Sequence, residues 1–376
     1  MKHNVAIIGA GASGRGFIAR MLKQDGAGIT FIDANRELID RLSAAASYQI
    51  YMGCEKTPMR MDDYRAYAID APEALTAVVE ADYVFVSIGE QNLHKLNDFF
   101  REVAKLRDEC RVVVCENGIE PKMVLRSALD ESIRDQFRIS QGVIFCTTIP
   151  CGEIDILSED YDEMPYDTDE DLFELPFDHF KGQKQFKVLL QRKIYTYNCL
   201  SACIAYTGYL KGYTDYAAAA NDPQIHALCQ ALAKKLTAVV SKAFSIDYDE
   251  QEAFGQRALK KFTNSAITDT ITKNARSTIR KLSCNERLAG PIYLFSRMGE
   301  DTEILCFVVA CAFVYLRREE MDNLRRSGYL RPMDLFLHGN ANMPGGILAR
   351  IEADYEEILN DHDIEDVIAA LIERVG

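Results

Sequence analysis

The sequence predicts an α/β fold, a doubly wound parallel sheet followed by a mainly α-helical second domain. Three observations carry the prediction. From residue 1 to about 148, short apolar runs alternate with helical stretches, the pattern of parallel strands joined by crossover helices. The first apolar run passes straight into Gly9-Ala10-Gly11-Ala12-Ser13-Gly14, the glycine spacing of a Rossmann-type strand-turn-helix unit. Past Lys187 the periodicity becomes that of long helices. A chain of 376 residues is too long for one ordinary core. Two domains are expected, 1–187 and 188–376.

In order, strands are expected at 5–8, 29–32, 83–88, 112–115 and 143–145, each a short run rich in Val, Ile and Phe. Three of them end in residues suited to the carboxyl edge of a parallel sheet, where ligands bind: Ser87-Ile88-Gly89, Glu116-Asn117-Gly118 and Thr147-Thr148. The stretch 158–176 is acidic, lacks any basic residue and is punctuated by Pro165 and Pro176, so it reads as a solvated loop or edge-strand excursion. Its carboxylates do not have calcium-loop spacing, and no metal site is expected. Helices are expected at 189–210, 225–244, 304–318 and 354–374, with Gly212, Gly328 and Pro344-Gly345-Gly346 marking stops and turns.

Each glycine of the first turn has a task. Gly9 permits the tight turn, Gly11 lets the backbone approach a pyrophosphate, and Gly14 allows close helix-strand packing. The helix N-terminus then presents free N–H groups to the anion, with Ala10, Ala12 and Ser13 completing the contact loop. The second apolar run ends in Asp33, placed to hold the adenosine ribose hydroxyls. A carboxylate there opposes a 2′-phosphate, so the expected cofactor is NAD rather than NADP, with Arg36 nearby as the one contrary charge. Ser87, Gly89 and Glu116 are further candidate cofactor contacts at neighbouring strand ends.

Composition narrows the class. The formal net charge of −14 disfavours nucleic acid and anionic membrane surfaces, so an anionic substrate needs a local basic pocket. No apolar run reaches the roughly twenty residues that span a bilayer. The N-terminus enters a strand at once, leaving no room for a signal peptide, which predicts a cytoplasmic location. The eleven cysteines, among them Cys115, Cys146, Cys199, Cys284 and Cys306, form no Cys-x-x-Cys pair and read as reduced core thiols. The protein is expected to be a monomer or small homo-oligomer.

Gln191-Arg192-Lys193-Ile194-Tyr195-Thr196-Tyr197-Asn198-Cys199-Leu200-Ser201 opens the helical domain and carries the most chemistry. On a continuous α-helix, at about 100° per residue, Lys193 and Asn198 stand about 140° apart, so they converge only on a broad concavity or at a frayed start. Arg276, Arg280, Lys281 and Arg287 form a basic set suited to a phosphate in an otherwise acidic chain. Histidines His226 and His338 are the remaining candidates for proton transfer.

Over nearly its whole length the chain resembles the polyol-specific long-chain dehydrogenases of the mannitol dehydrogenase family. The resemblance lies in Gly9-Ala10-Gly11 with Gly14-Arg15-Gly16-Phe17-Ile18, in Cys115-Glu116-Asn117, in Arg192-Lys193 followed by four residues and Asn198, and in Arg276 with Arg280-Lys281-Leu282-Ser283 and Arg287-Leu288. It implies a Rossmann domain followed by an all-helical domain, with Lys193 as the general base that takes the alcohol proton while hydride leaves for nicotinamide. It also implies Asn198 as the amide that polarises the reacting oxygen, with Asn117 as a second donor. The family pattern has His three residues after the Asn and an Asp-Arg pair after the fifth strand. This chain has Ser201 and Thr147-Thr148 instead. A serine there is expected to leave a gap beside the reacting oxygen that water or a bulkier substrate fills.

The implied activity is NAD-dependent interconversion of a sugar alcohol, phosphorylated in the manner of mannitol 1-phosphate, and its ketose. Two readings stay beside it. One keeps fold and cofactor but changes the hydroxy substrate, because Ser201 and Thr147 remodel the pocket. The other is a catalytically quiet NAD-binding sensor, which Ser201 favours and Lys193 opposes.

Overall fold

The computed structural model describes residues 3–52, 57–116, 118, 120–170, 172–265, 269–360 and 363–375. The chain divides into two compact units, 1–190 and 191–376.

The first unit is built on six parallel strands. They are β1 (Asn4–Ile8), β2 (Gly28–Asp33), β5 (Tyr64–Ala68), β6 (Tyr83–Val86), β7 (Cys110–Val114) and β8 (Phe137–Gln141), ordered β5-β2-β1-β6-β7-β8. Strand order reverses between β1 and β6, which opens a crevice beyond their carboxyl ends. Side chains alternate across this sheet. Val5, Ile7, Phe31, Phe85 and Val113 enter one core, while Ala6, Ile8, Ile32, Val84, Val86, Val112 and Val114 enter the other. Burial on both faces is what makes these strands read as near-continuous apolar runs.

A second sheet, of β3 (Ser47–Met52), β4 (Thr57–Asp62), β9 (Thr148–Cys151) and β10 (Asp155–Ser158), runs in the order β4-β3-β10-β9. It lies against the glycine-rich helix, so a Cβ at Gly16 would stand 2.4 Å from Ile156 Cγ2. The periodicity of the sequence does not reveal this sheet, because its strands carry polar residues and its two local pairs, β3–β4 and β9–β10, join through β3 and β10 across about a hundred positions of chain.

The expected strand at 143–145 is not formed. The sixth strand is Phe137–Gln141, and the chain leaves the ladder at Gly142, which bridges Tyr166 while Val143 N–H donates to Pro165 O at 3.0 Å. Residues 143–145 are apolar because they are buried, not because they pair. Within the acidic stretch, β11 (Met164–Asp167) pairs with β12 (Phe180–Gln183), turning Met164 and Tyr166 into the core. Asp167 is buried and takes Lys122 Nζ at 2.8 Å, so the missing cation comes from outside the stretch.

The second unit is helical. Glu303–Glu319 is buried on all sides over 304–316, as expected of a helix at the centre of a bundle. It packs against Cys199–Leu210 and Gly345–Leu359. Pro223–Phe244 starts where Asp222 accepts from Gln224 and Ile225 N–H, with Pro at its first turn. The apolar run 354–374 resolves into the end of Gly345–Leu359 and a separate Ile364–Val375. Gly212 and Gly328 have φ of 79° and 86° and follow helix ends, as the sequence suggested. Of the described cysteines, Cys151 and Cys284 are exposed and the others are buried free thiols, which corrects the expectation for Cys284. Among the described residues no helix is long and apolar enough to cross a membrane.

Candidate active site

The turn after β1 has the shape its glycines imply. Gly9 takes φ 108°, and a Cβ there would lie 2.1 Å from Ser87 O, while one at Gly14 would lie 2.0 Å from Gly9 O. Neither position admits a side chain. At Gly11 a Cβ would meet nothing within 4 Å, so the backbone there faces open space. Ala12 and Ser13 start the helix, whose first N–H groups have no intrahelical acceptor. Asp33 fastens the turn, accepting Ala10 N–H at 2.7 Å on Oδ2 and Asn35 N–H at 2.8 Å on Oδ1. A carboxylate has about four lone-pair sites, so acceptor capacity remains for ribose hydroxyls. Arg36 is paired with Asp70. These features fit a dinucleotide with an unphosphorylated adenosine ribose.

Buried Arg15 holds the turn from beneath, donating to Ala10 O at 2.6 Å and to Ile154 O. Tyr48 Oη returns a bond to Arg15 O at 2.9 Å. Past β6 and β7 the Glu116 carboxylate accepts Ile88 N–H at 2.6 Å and Gly89 N–H at 2.7 Å, tying the two strand ends together. Burial, reinforced by Glu90, pushes this carboxyl up to about 7 despite both bonds. Thr147 N–H donates to Glu159 at 2.6 Å, and Thr148 enters β9, so this pair is engaged by the second sheet. Asn117 lies outside the described residues.

In the second unit the decisive local feature is a π-turn. Phe186–Lys193 is α-helical, Ile194–Asn198 is π-helical, and Cys199–Leu210 is α-helical again, with Cys199 N–H bonded to Ile194 O five residues back. An i→i+5 turn winds more loosely than an α-helix, so residues five apart stand nearer to one face than they do at 3.6 residues per turn. Lys193 and Asn198 are five apart, so the turn narrows the divergence of about 140° expected on an α-helix. A buried network pins the turn: Arg192 Nε donates to Gln251 Oε1 at 2.7 Å, and Gln251 Nε2 donates to Thr196 Oγ1 at 2.9 Å. Arg192 also stacks 4.2 Å over Phe254 and pairs with Glu250 at 2.7 Å.

Lys193 is 8% exposed. Burial, with Lys261 and Arg287 as neighbouring cations, pulls its amine down from 10.5 to about 7. By sequence alone, Arg192, Arg280 and Lys281 are the nearer candidates for the charges that lower it. Lys261 escapes such a reading because it arrives from another helix, Tyr248–Phe262, at no diagnostic spacing. Asn198 and Ser201 are half-buried and stand one α-helical turn apart. Ser201 is engaged on one side by Tyr216, whose Oη donates to Ser201 Oγ at 3.0 Å.

Most of the basic set is engaged by other groups of the second unit. Arg276 is exposed at a helix end, and Arg280 is paired with Glu286. Lys281 is buried beneath Tyr206, 5.6 Å from its ring centroid, and donates to Asn274 O. Burial, Arg287 and Arg280 bring its amine down to about 6. Arg287 Nε bonds Glu286 at 3.0 Å. His226 is half-buried within Pro223–Phe244. His338 is exposed and, with Gln191, Tyr195, Tyr293, Arg297 and Asn340, lines a pocket of about 620 Å³.

Comparison with known proteins agrees with this organisation. The mannitol dehydrogenase Rossmann domain model matches residues 3–150, and the mannitol dehydrogenase C-terminal domain model matches residues 186–326. The mannitol-1-phosphate 5-dehydrogenase of Clostridium acetobutylicum is 28% identical over 338 residues, which cover 83% of this chain and 86% of that protein. Its counterpart from Caldanaerobacter subterraneus is 25% identical over 347 residues, covering 86% and 89%. Among solved structures, Pseudomonas fluorescens mannitol 2-dehydrogenase in ternary complex with NAD and D-mannitol matches with a TM-score of 0.77 at 16% identity, over 99% of this chain and 95% of that one. A D-sorbitol dehydrogenase in substrate-free form matches at 0.74 and 14% identity, over 96% and 93%. At such identities the structural likeness is one of fold. Matched by the family's two domain models along most of its length, the chain belongs to the mannitol dehydrogenase family.

Proposed function

We propose that this protein is an NAD-dependent polyol dehydrogenase that interconverts a sugar alcohol and its ketose, with Lys193 as general base. The observation that carries the reading is the buried amine of Lys193, brought to about 7 at the start of the π-turn that ends in Asn198. A base near neutrality accepts a proton readily and returns it readily. An ordinary surface lysine, protonated up to about 10.4, does neither.

In the first unit the Gly9–Gly14 turn and Asp33 would bind the dinucleotide, which supplies the hydride acceptor when bound. In the second, Lys193 Nζ takes the hydroxyl proton as the carbinol carbon gives up hydride, and Asn198 donates to the oxygen as it becomes a carbonyl. In the reverse direction the lysinium returns the proton. Burial, with Lys261 and Arg287, keeps the amine neutral, and the two cations favour an anionic substrate, which supports a polyol phosphate such as mannitol 1-phosphate. Relatives named mannitol-1-phosphate 5-dehydrogenases point the same way.

The test follows NADH absorbance with mannitol, sorbitol, mannitol 1-phosphate, sorbitol 6-phosphate and a set of 2-hydroxy acids. Turnover of a polyol or its phosphate, lost in Lys193→Ala with NADH affinity retained, is expected. Turnover confined to the hydroxy acids, or undiminished in Lys193→Ala, overturns the reading.

A further inference from the structure

Ser201 stands one α-helical turn beyond Asn198, on the same face and half-buried. Its hydroxyl accepts from Tyr216 Oη at 3.0 Å. A helical serine or threonine commonly bonds back to the carbonyl a turn earlier. Thr207 on this same helix does so, donating to Cys203 O at 2.6 Å. Ser201 instead bonds across to another element.

That element is held firmly. Tyr216 opens the helix Tyr216–Ala220, which Asp215 caps by accepting Ala218 N–H at 2.7 Å. Tyr216 N–H donates to Asp269 O at 3.0 Å, and its ring meets Phe262 edge-on at 5.9 Å. The side chain is 6% exposed. Burial keeps its phenol far above the ordinary tyrosine range, so it stays a neutral donor.

We infer that Tyr216 is a positioning residue for the polyol site: by donating to Ser201 Oγ it leaves the serine proton to point at the substrate oxygen that Asn198 engages, and Ser201 thereby selects a hydroxyl-bearing substrate. A serine hydroxyl has one proton and two acceptor sites. With one acceptor site taken by the phenol, the serine proton is confined to positions turned away from Tyr216. The pair orients a neutral oxygen through one proton donor and itself carries no charge. The substrate class it fits is a polyol, whose reacting oxygen accepts from Ser201 as well as from Asn198. This inference rests on the polyol dehydrogenase reading above.

The test uses the full-length protein with NAD and mannitol 1-phosphate, or mannitol where the phosphate is not turned over. Tyr216→Phe keeps the ring and removes the hydroxyl. It is expected to lower kcat/KM about tenfold, the scale of one neutral hydrogen bond, with NADH affinity unchanged. Ser201→Ala is expected to lose a similar factor. The double variant should lose no more than either single one, because the two groups act in series. Ser201→Thr, which restores the hydroxyl, should recover part of the loss. Calorimetric binding of mannitol 1-phosphate to the protein–NADH complex should weaken in parallel. Losses that multiply in the double variant, or a Tyr216→Phe effect confined to melting temperature, overturn the inference. Full turnover and binding in both single variants, with Lys193→Ala inactive, overturns it while leaving the dehydrogenase reading intact. Full turnover in Lys193→Ala removes the reading itself and the inference with it.

Discussion

Replacing Lys193 with Met should make the second unit more stable at pH 6 than the parent protein, by a margin that shrinks as pH rises. Moving an amine from 10.5 to about 7 disfavours its charged form in the folded chain by ~5 kcal/mol. The sign follows from proton binding. Between about 7 and 10.5 the unfolded lysine holds its proton and the folded one does not, so stability rises with pH across that window. Below pH 7 the full penalty is present. Between pH 6 and pH 9 the parent recovers ~3 kcal/mol, and the methionine variant, with nothing to titrate at this position, recovers none of it. For a unit of this size the melting-temperature gap between the two should narrow by roughly 6–12 °C. Differential scanning calorimetry of both proteins at the two pH values measures it. The same variant should lose turnover by about 10² or more, and kcat/KM of the parent for polyol oxidation should rise with pH through an inflection near 7. A melting gap that stays constant from pH 6 to 9 would refute the claim that this amine is buried beside Lys261 and Arg287 as an unfavoured cation.

Three further outcomes are expected. Gly11→Ala should melt like the parent yet bind NADH at least tenfold more weakly, because its methyl enters the open space where a pyrophosphate is expected, whereas Gly14→Ala should fold poorly with its Cβ at 2.0 Å from Gly9 O; equal effects of the two on melting temperature would contradict this. Asp33→Ser should weaken NADH binding and narrow its advantage over NADPH in a fluorescence titration, and a parent that prefers NADPH would remove the ribose assignment. Glu116→Gln should stabilise the first unit at pH 8 and not at pH 4.5: a carboxyl raised from 4.5 to about 7 binds more protons folded than unfolded, so its contribution falls as pH rises through that window, and equal melting shifts at both pH values would count against it.

The parts of the fold that are legible in the sequence are those set by local chemistry. Gly9, by its φ of 108°, and Gly14, by its approach to Gly9 O, are required within a few residues of chain, so their spacing exposes the turn. The strands β1, β2, β6 and β7 are buried on both faces, and their uninterrupted Val, Ile and Phe runs follow from that. What stays hidden depends on distant partners. The strand β8 reads Phe137-Arg138-Ile139-Ser140-Gln141, with a weak signal because its neighbour, not its composition, makes it a strand. The more apolar 143–145 reads as the strand instead, since periodicity cannot distinguish a paired strand from a buried crossing of the chain. Likewise Lys281 resembles a phosphate ligand by type and spacing, and only the tertiary fold shows its amine turned in beneath Tyr206.

The π-turn at Ile194–Asn198 is where this limit bears on mechanism. Nothing in Ile194-Tyr195-Thr196-Tyr197-Asn198 announces i→i+5 bonding, and the residues that secure it, Gln251, Glu250 and Phe254, lie more than fifty positions downstream. Their action is physical: Arg192 is drawn to Glu250 and Gln251 on one side while Thr196 is held by the same Gln251 amide, fixing the extra residue between Lys193 and Asn198 in place. A lysine and an amide five residues apart are poorly placed partners on an α-helix and good ones on a π-turn. It follows that Gln251→Leu, far from any reacting atom, should let the helix relax toward regular α-geometry and depress kcat without changing NADH affinity, whereas Gln251→Glu, which retains the acceptor for Arg192, should retain more of it. Equal loss in the two variants would separate the network from the alignment of Lys193 with Asn198.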